Sequence, residues 1–192
     1  MDKSRDPDPF ADVQQATRRH LRQHGCGAYT FEDGQALTML SGWKRPQRVL
    51  ELGTALGYTA CCLVQGYALA SVDTVEGDAE HVALAREQIG RHVLTHRITV
   101  YYGQFDEILG QLVTGYDMAF FDGFAPSMST ILRVCDLLAT GGLLVCSNLQ
   151  LDHGSAARRL AHYLDDSRRW KVLASIEHGR TAVRIKLSGK TG

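Results

Sequence analysis

The sequence predicts a doubly wound α/β domain whose seven-stranded, mostly parallel sheet closes on a C-terminal antiparallel hairpin. Three observations carry that expectation. From residue 48 onward, apolar runs of strand length alternate with stretches of helical period, the pattern of a parallel sheet with helices on both faces. The first run, Val49-Leu50-Glu51-Leu52, leads through Gly53-Thr54-Ala55-Leu56-Gly57 into Tyr58-Thr59, which reads as strand, loop, helix. Finally, two apolar segments near the C-terminus are separated only by His178-Gly179-Arg180, and strands joined by so short a turn must be antiparallel.

The elements follow in order. Residues 10–24 form an amphipathic helix and residues 31–43 a second one; together, residues 1–45 make an N-terminal helical cap. Residues 46–192 make the core of the same single domain. Strands are expected near residues 48–52, 71–76, 98–102, 116–122 and 142–147, with helices near 57–67, 78–93, 104–113, 127–138 and 154–167. Residues 171–177 and 181–187 make the closing hairpin. No repeat, low-complexity stretch or domain boundary interrupts the chain.

Ligands of such sheets sit outside the carboxyl ends of the strands, where the strand order reverses. Gly53 lets the backbone turn there and approach a ligand closely, and Gly57 opens the helix. The Gly-x-x-x-Gly spacing is neither the dinucleotide Gly-x-Gly-x-x-Gly nor a triphosphate-gripping Gly-Lys-Ser/Thr loop, so a pyrophosphate ligand is disfavoured. Glu51 would repel phosphate and suits a cationic or amide donor instead. Ser71-Val72-Asp73-Thr74-Val75-Glu76 is a second strand ending in a carboxylate, which can take both hydroxyls of a ribose.

With these residues in place, the chain from about residue 29 to its end resembles the S-adenosylmethionine-dependent methyltransferases of Rossmann-like fold, specifically the short O-methyltransferases of the catechol and caffeoyl-coenzyme A type. The resemblance implies S-adenosyl-L-methionine as cofactor and S-adenosyl-L-homocysteine as product. It implies that Glu51, Gly53 and Thr54 face the methionine moiety. Gly57, Tyr58 and Thr59 at the helix start would hold its amino and carboxylate groups, a setting in which free N–H groups suit a carboxylate. Glu76 and Gly77 would meet the ribose, and Gly103, Gln104 and Phe105 the adenine. Asp122, Gly123 and Phe124 would follow the fourth strand beside the methionine amine and the acceptor, with Tyr29 and Thr30 covering the cofactor. Phe124, Met128 and Leu149 are candidates for the acceptor pocket.

Two departures from the family bear on mechanism. Catechol-type enzymes bind magnesium with an aspartate after the fourth strand and an Asp-Asn pair after the fifth; this chain has Asp122 and then Ser147-Asn148. Exchanging a carboxylate for a hydroxyl removes a charge and a strong oxygen ligand, so no residue is assigned to a metal and the reaction is expected to be independent of magnesium or weakly dependent on it. Those enzymes also place a lysine base three residues after the fourth-strand aspartate, where this chain has Ala125. His153, after the fifth strand, becomes the first choice of general base, followed by His20 and His24. His81, His92, His96, His162 and His178 read as surface positions.

Composition bounds the remaining classes. At 192 residues and 44% hydrophobic content, the chain has enough apolar surface for a core of ordinary size. No apolar run approaches the ~20 residues of a membrane span, and the start of the chain is charged and proline-containing, so a cytoplasmic protein is expected. Lys plus Arg equals Asp plus Glu at 21 each, which argues against a nucleic-acid partner. Cys26, Cys61, Cys62, Cys135 and Cys146 show no Cys-x-x-Cys pair and read as reduced, structural residues. The partner is then a small-molecule methyl acceptor, with methylation at oxygen. A tRNA-modifying enzyme and a catalytically silent S-adenosylmethionine-binding protein stay open as alternatives, as does a homodimer anchored by Trp43 or Trp170.

Overall fold

A computed structural model describes residues 8–27 and 29–188. Seven strands form one sheet in the order β3-β2-β1-β4-β5-β7-β6. β1 (Arg48–Leu52) lies between β2 (Ser71–Glu76) and β4 (Tyr116–Phe121), parallel to both. β3 (Ile98–Tyr102) extends the sheet beyond β2, and β5 (Leu138–Cys146) extends it beyond β4. The chain winds outward from β1 to β3, then returns to start β4 on the other side of β1, which puts the reversal between β1 and β4. The hairpin is antiparallel as expected. β7 (Thr181–Lys186) inserts between β5 and β6 (Trp170–Ile176), pairing with both.

Period-two alternation divides the strand side chains between two cores. Val49, Val72, Met118, Phe120 and Val145 face α1 (Ala11–His24), α2 (Gly34–Lys44), α3 (Tyr58–Gly66) and α4 (Ala79–Arg91). Leu50, Leu52, Ala119, Phe121 and Leu144 face α5 (Phe105–Leu109), α6 (Met128–Leu137) and α7 (Ser155–Leu164). All ten are essentially excluded from solvent, and burying a side chain of this size contributes about 1.5–3 kcal/mol.

The helix ends have local causes. Asp33 caps α2 by accepting from Ala36 N–H, Asp78 caps α4 by accepting from Glu80 and His81 N–H, and Ser127 caps α6 by accepting from Thr130 N–H. Arg97 reaches past the end of α3, donating to the carbonyls of Val64, Tyr67 and Ala70 at 2.6–3.0 Å. α5 ends at Leu109, short of residue 113, because Gly110 follows. β5 starts at Leu138, before the expected residue 142, since α6 runs straight into it and the Gly141-Gly142 pair absorbs a register shift against β4.

Several polar residues have positions the sequence did not reveal. Asp117 is a β1 anchor, accepting from the backbone N–H groups of Gln47 and Arg48. Asp73 accepts from Tyr116 Oη at 2.7 Å. Trp170 is buried against Tyr163 and cannot anchor a dimer, whereas Trp43 is exposed. Met128 and Leu149 pack on the α5–α7 core rather than in the pocket. Cys61, Cys62, Cys135 and Cys146 are buried, and burial pushes each thiol up, Cys61 to about 12. Among the described residues no helix is long and apolar enough to cross a membrane.

Candidate functional site

A cavity of about 910 Å³ opens over the carboxyl ends of β1, β2, β3 and β4. At its floor the β1–α3 loop passes Gly53 (φ +97°), whose absent side chain matters: a Cβ there would lie 2.6 Å from the Asp122 carbonyl oxygen. Gly53 N–H donates to Val75 O and Asp122 N–H donates to Leu52 O, tying the loop to both neighbouring strands. Ala55 and Gly57 also have positive φ, so the turn is tight before α3 starts at Tyr58.

Glu76 ends β2 at the cavity wall. Its Oε2 accepts from Ala55 N–H at 2.9 Å and its Oε1 from Asp78 N–H at 3.0 Å, which fixes the carboxylate in one orientation. Gly77, Gly103 and Gln104 continue the wall from there. Phe105 packs edge-on against Phe121, and a Cβ at Gly123 would meet its ring at 2.8 Å. Thr54, Thr59, Thr30, Tyr29 and Asp122 line the cavity as well. Tyr29 and Phe124 are more than three-quarters exposed at its mouth.

Three expected site residues stand outside the cavity wall, and a fourth borders it with its hydroxyl engaged elsewhere. His153 is exposed and outside the cavity wall; the neighbouring Asp152 accepts from Gly154 N–H at the approach to α7, so this pair shapes a helix start instead of a base. Gly57 turns the chain beneath the loop and touches Ile89. Tyr58 borders the cavity, but its hydroxyl is turned away and donates to Asp8 Oδ2 at 2.6 Å. Glu51 is completely buried below the loop and does not reach the wall.

Glu51 is still informative. Its Oε2 accepts from Thr74 Oγ1 at 2.6 Å, whereas Oε1 has no partner. Burial raises its pKa from 4.5 to about 7, against the lowering effect of Thr59 and Thr74 hydroxyls. The fold therefore prefers the protonated carboxyl. That preference supports stability fully below about pH 4.5 and is lost as the pH climbs through about 7. Glu51→Gln, which cannot ionise, should unfold in urea with about 3 kcal/mol more stability than the parent at pH 8, and with little advantage at pH 4.5. An advantage equal at both pH values would show that ionisation of Glu51 is not its source.

The acceptor end is built from the end of β4, the β5–α7 loop and the hairpin. Asp122 sits among Glu51, Glu177, Ser147 and Asn148, and its carboxyl is held well above the usual range, by burial first and then by the charges of Glu51 and Glu177. Asn148, in the left-handed region at φ +62°, donates from its amide to Gly123 O at 2.6 Å and to Asp122 Oδ1 at 3.4 Å. Thr181 Oγ1 donates to Glu177 Oε2 at 2.7 Å and lies 3.1 Å from Ser147 Oγ. Magnesium needs several convergent oxygens. Here Ser147 offers a neutral hydroxyl and Asn148 turns its amide NH₂ toward Asp122, so Asp122 is the one charged oxygen ligand among these three residues.

Sequence reasoning missed several residues in the wall, among them Glu177 and Arg180, which stand on the 3-10 turn between β6 and β7 and just after it. The only signal for these two was their place in a hairpin that returns to the sheet beside β5. His81 was also misread: it is buried and borders the cavity, because α1 covers that face of α4.

Residues 50–149 match the family described as a methyltransferase domain. The catechol O-methyltransferase of Niastella koreensis is 30% identical over 149 residues, covering 73% of this chain and 67% of the relative. Among solved structures, the O-methyltransferase TomG of Streptomyces achromogenes, in complex with SAM, superposes with a TM-score of 0.79 at 18% identity, over 92% of this chain and 90% of that one. An SAH-bound methyltransferase of Podospora anserina gives 0.78 at 20% identity, over 95% and 88%.

Proposed function

Since the chain belongs to the methyltransferase-domain family and is an S-adenosylmethionine-dependent O-methyltransferase at the level that family defines, we propose that it methylates a small acceptor with an acidic hydroxyl, without a divalent cation and with Asp122 as general base. The supporting observation is the replacement of a metal-binding oxygen set by the hydrogen-bonded cluster of Asp122, Ser147, Asn148 and Thr181. When bound, the cofactor supplies a methyl group activated by its sulfonium.

In this reading Glu76 takes the ribose hydroxyls on the carboxylate lone pairs that Ala55 and Asp78 N–H groups leave free, and Phe105 packs on the adenine. The orphaned Thr30 Oγ1, buried at the cavity wall, offers a further hydrogen bond. Asp122 takes the acceptor's proton; a raised pKa makes a carboxylate a stronger base near neutrality. Holding donor and acceptor in line can itself lower the barrier by roughly 7–11 kcal/mol, which lessens the need for a metal. Soluble handling of a small acceptor agrees with a chain of balanced charge, and we place the protein in the cytoplasm.

The test is incubation with methyl-labelled S-adenosylmethionine and a panel of phenols and hydroxy acids, with and without chelator. Label in the acceptor pool at a rate that chelator leaves within twofold is the expected result. Label that disappears with chelator and returns with magnesium would overturn the metal-free reading, and label in RNA or in no pool would overturn the acceptor class.

A further inference from the structure

The proposed methyl transfer makes no use of one group of side chains at the edge of the cavity. His20 comes from α1, Cys26 from the segment after it, and His81 from the first turn of α4. One ligand atom from each, two imidazole nitrogens and a thiol sulfur, lies within 4.8 Å of the other two. His20 and His81 are buried, at 7% and 6% exposure, and Cys26 is half-buried. We propose that His20, Cys26 and His81 form a zinc site in the wall of the cavity, with its fourth position open to solvent or ligand.

Ligand chemistry selects the ion. Two neutral imidazoles and a thiolate match the nitrogen and sulfur preference of Zn²⁺, whereas calcium and magnesium require oxygens. Geometry agrees. At bond lengths of about 2.0–2.3 Å a tetrahedral zinc holds its ligand atoms about 3.5 Å apart, so the three close by about 1 Å onto the ion. Two imidazoles on one such ion hold their ring centres about 5 Å apart, and those of His20 and His81 are 5.2 Å apart at an interplanar angle of 79°. Glu76 Oε1 lies 3.8 Å from His81 Nδ1, so a carboxylate charge stands beside the site.

His20 also belongs to a second set with His24 and Glu80, but both of those are exposed, and the His24 ring stacks on His20 at 4.4 Å. The buried set is favoured because its two imidazoles are held in place by the fold and it contains the thiolate, whose proton passes to solvent when the ion binds. Cys26 and His81 both border the cavity, so the ion would pin α1 and the segment after it to the wall that carries Glu76 and Gly77.

The experiment is titration of chelator-stripped, reduced protein with Zn²⁺ by calorimetry, and with Co²⁺ by absorption. One equivalent should bind, with a thiolate-to-cobalt charge-transfer band. Cys26→Ser should abolish that band, and Cys26→Ser and His81→Asn should each weaken zinc binding by more than the 10–100-fold typical of outer-shell partners, with the circular dichroism of the parent. His24→Ala and Glu80→Ala should bind as the parent does. Loss of binding in those two variants with retention in Cys26→Ser would overturn the assignment in favour of the exposed set, and binding below one-half equivalent would overturn it altogether. Neither readout depends on methyl transfer.

Discussion

Asp122→Asn should lower kcat for methyl transfer by about 10²–10⁴-fold, the range associated with losing a positioned general base. The substitution keeps the size of the side chain and an oxygen for Asn148 to donate to, so the loop should stay in place. The parent's rate should rise with pH through the Asp122 carboxyl's elevated pKa, because only the ionised form accepts a proton. In the variant that limb should vanish. A variant with kcat within tenfold of the parent would remove Asp122 from the proton transfer and leave Glu177, whose charge already acts on Asp122, as the carboxylate to test next. Affinity for S-adenosylhomocysteine separates the roles further: a base-only Asp122 leaves it unchanged, whereas a contact to the methionine amine makes it fall.

Glu76→Ala has the complementary signature. In the proposed cofactor-binding role it removes two hydrogen bonds from ribose to a charged acceptor, each worth about 1.5–3 kcal/mol. Calorimetric affinity for S-adenosylhomocysteine should fall by about 3–4 kcal/mol, a few hundredfold. Part of that loss comes from Ala55 and Asp78, whose N–H groups lose the carboxylate that holds the loop and the α4 cap against the wall. Glu76→Gln tests this division, since the amide oxygen can still accept from one of the two N–H groups. Unchanged affinity in Glu76→Ala would show that the carboxylate serves the loop and does not meet the cofactor.

The residues whose role depends on their own strand were legible in the sequence. Apolar runs with a carboxylate or glycine at the carboxyl end marked β1, β2 and β4, and the reversal between β1 and β4 then put Gly53, Glu76 and Asp122 around one opening. Depth was not legible. Glu51 and Glu76 lie near the carboxyl ends of neighbouring parallel strands with the same chemistry, yet the register pairs Glu51 with Thr74, two residues short of Glu76, so Glu51 lies beneath the loop and Glu76 at the opening. Residues that enter the site from distant elements were missed for the same reason. Glu177 and Arg180 looked like turn residues until β7 inserted beside β5, and His81 looked like a surface position until α1 covered it. His153 failed in the opposite sense: its place after β5 was right, but the loop carried it outward.

The insertion of β7 also dictates how the chain can be completed. β6 pairs with β7 and with no other strand among the described residues, and β5 has β7 along the edge that β4 leaves free. While the polypeptide is being synthesised, β6 leaves the ribosome before it has a partner, and β5 keeps a bare hydrogen-bonding edge until residue 186 is made. Such an edge is a template for intermolecular pairing. A chain cut after Arg180 therefore loses two strands instead of one, and termination before Lys186 leaves β5 with a bare edge and β6 without its partner.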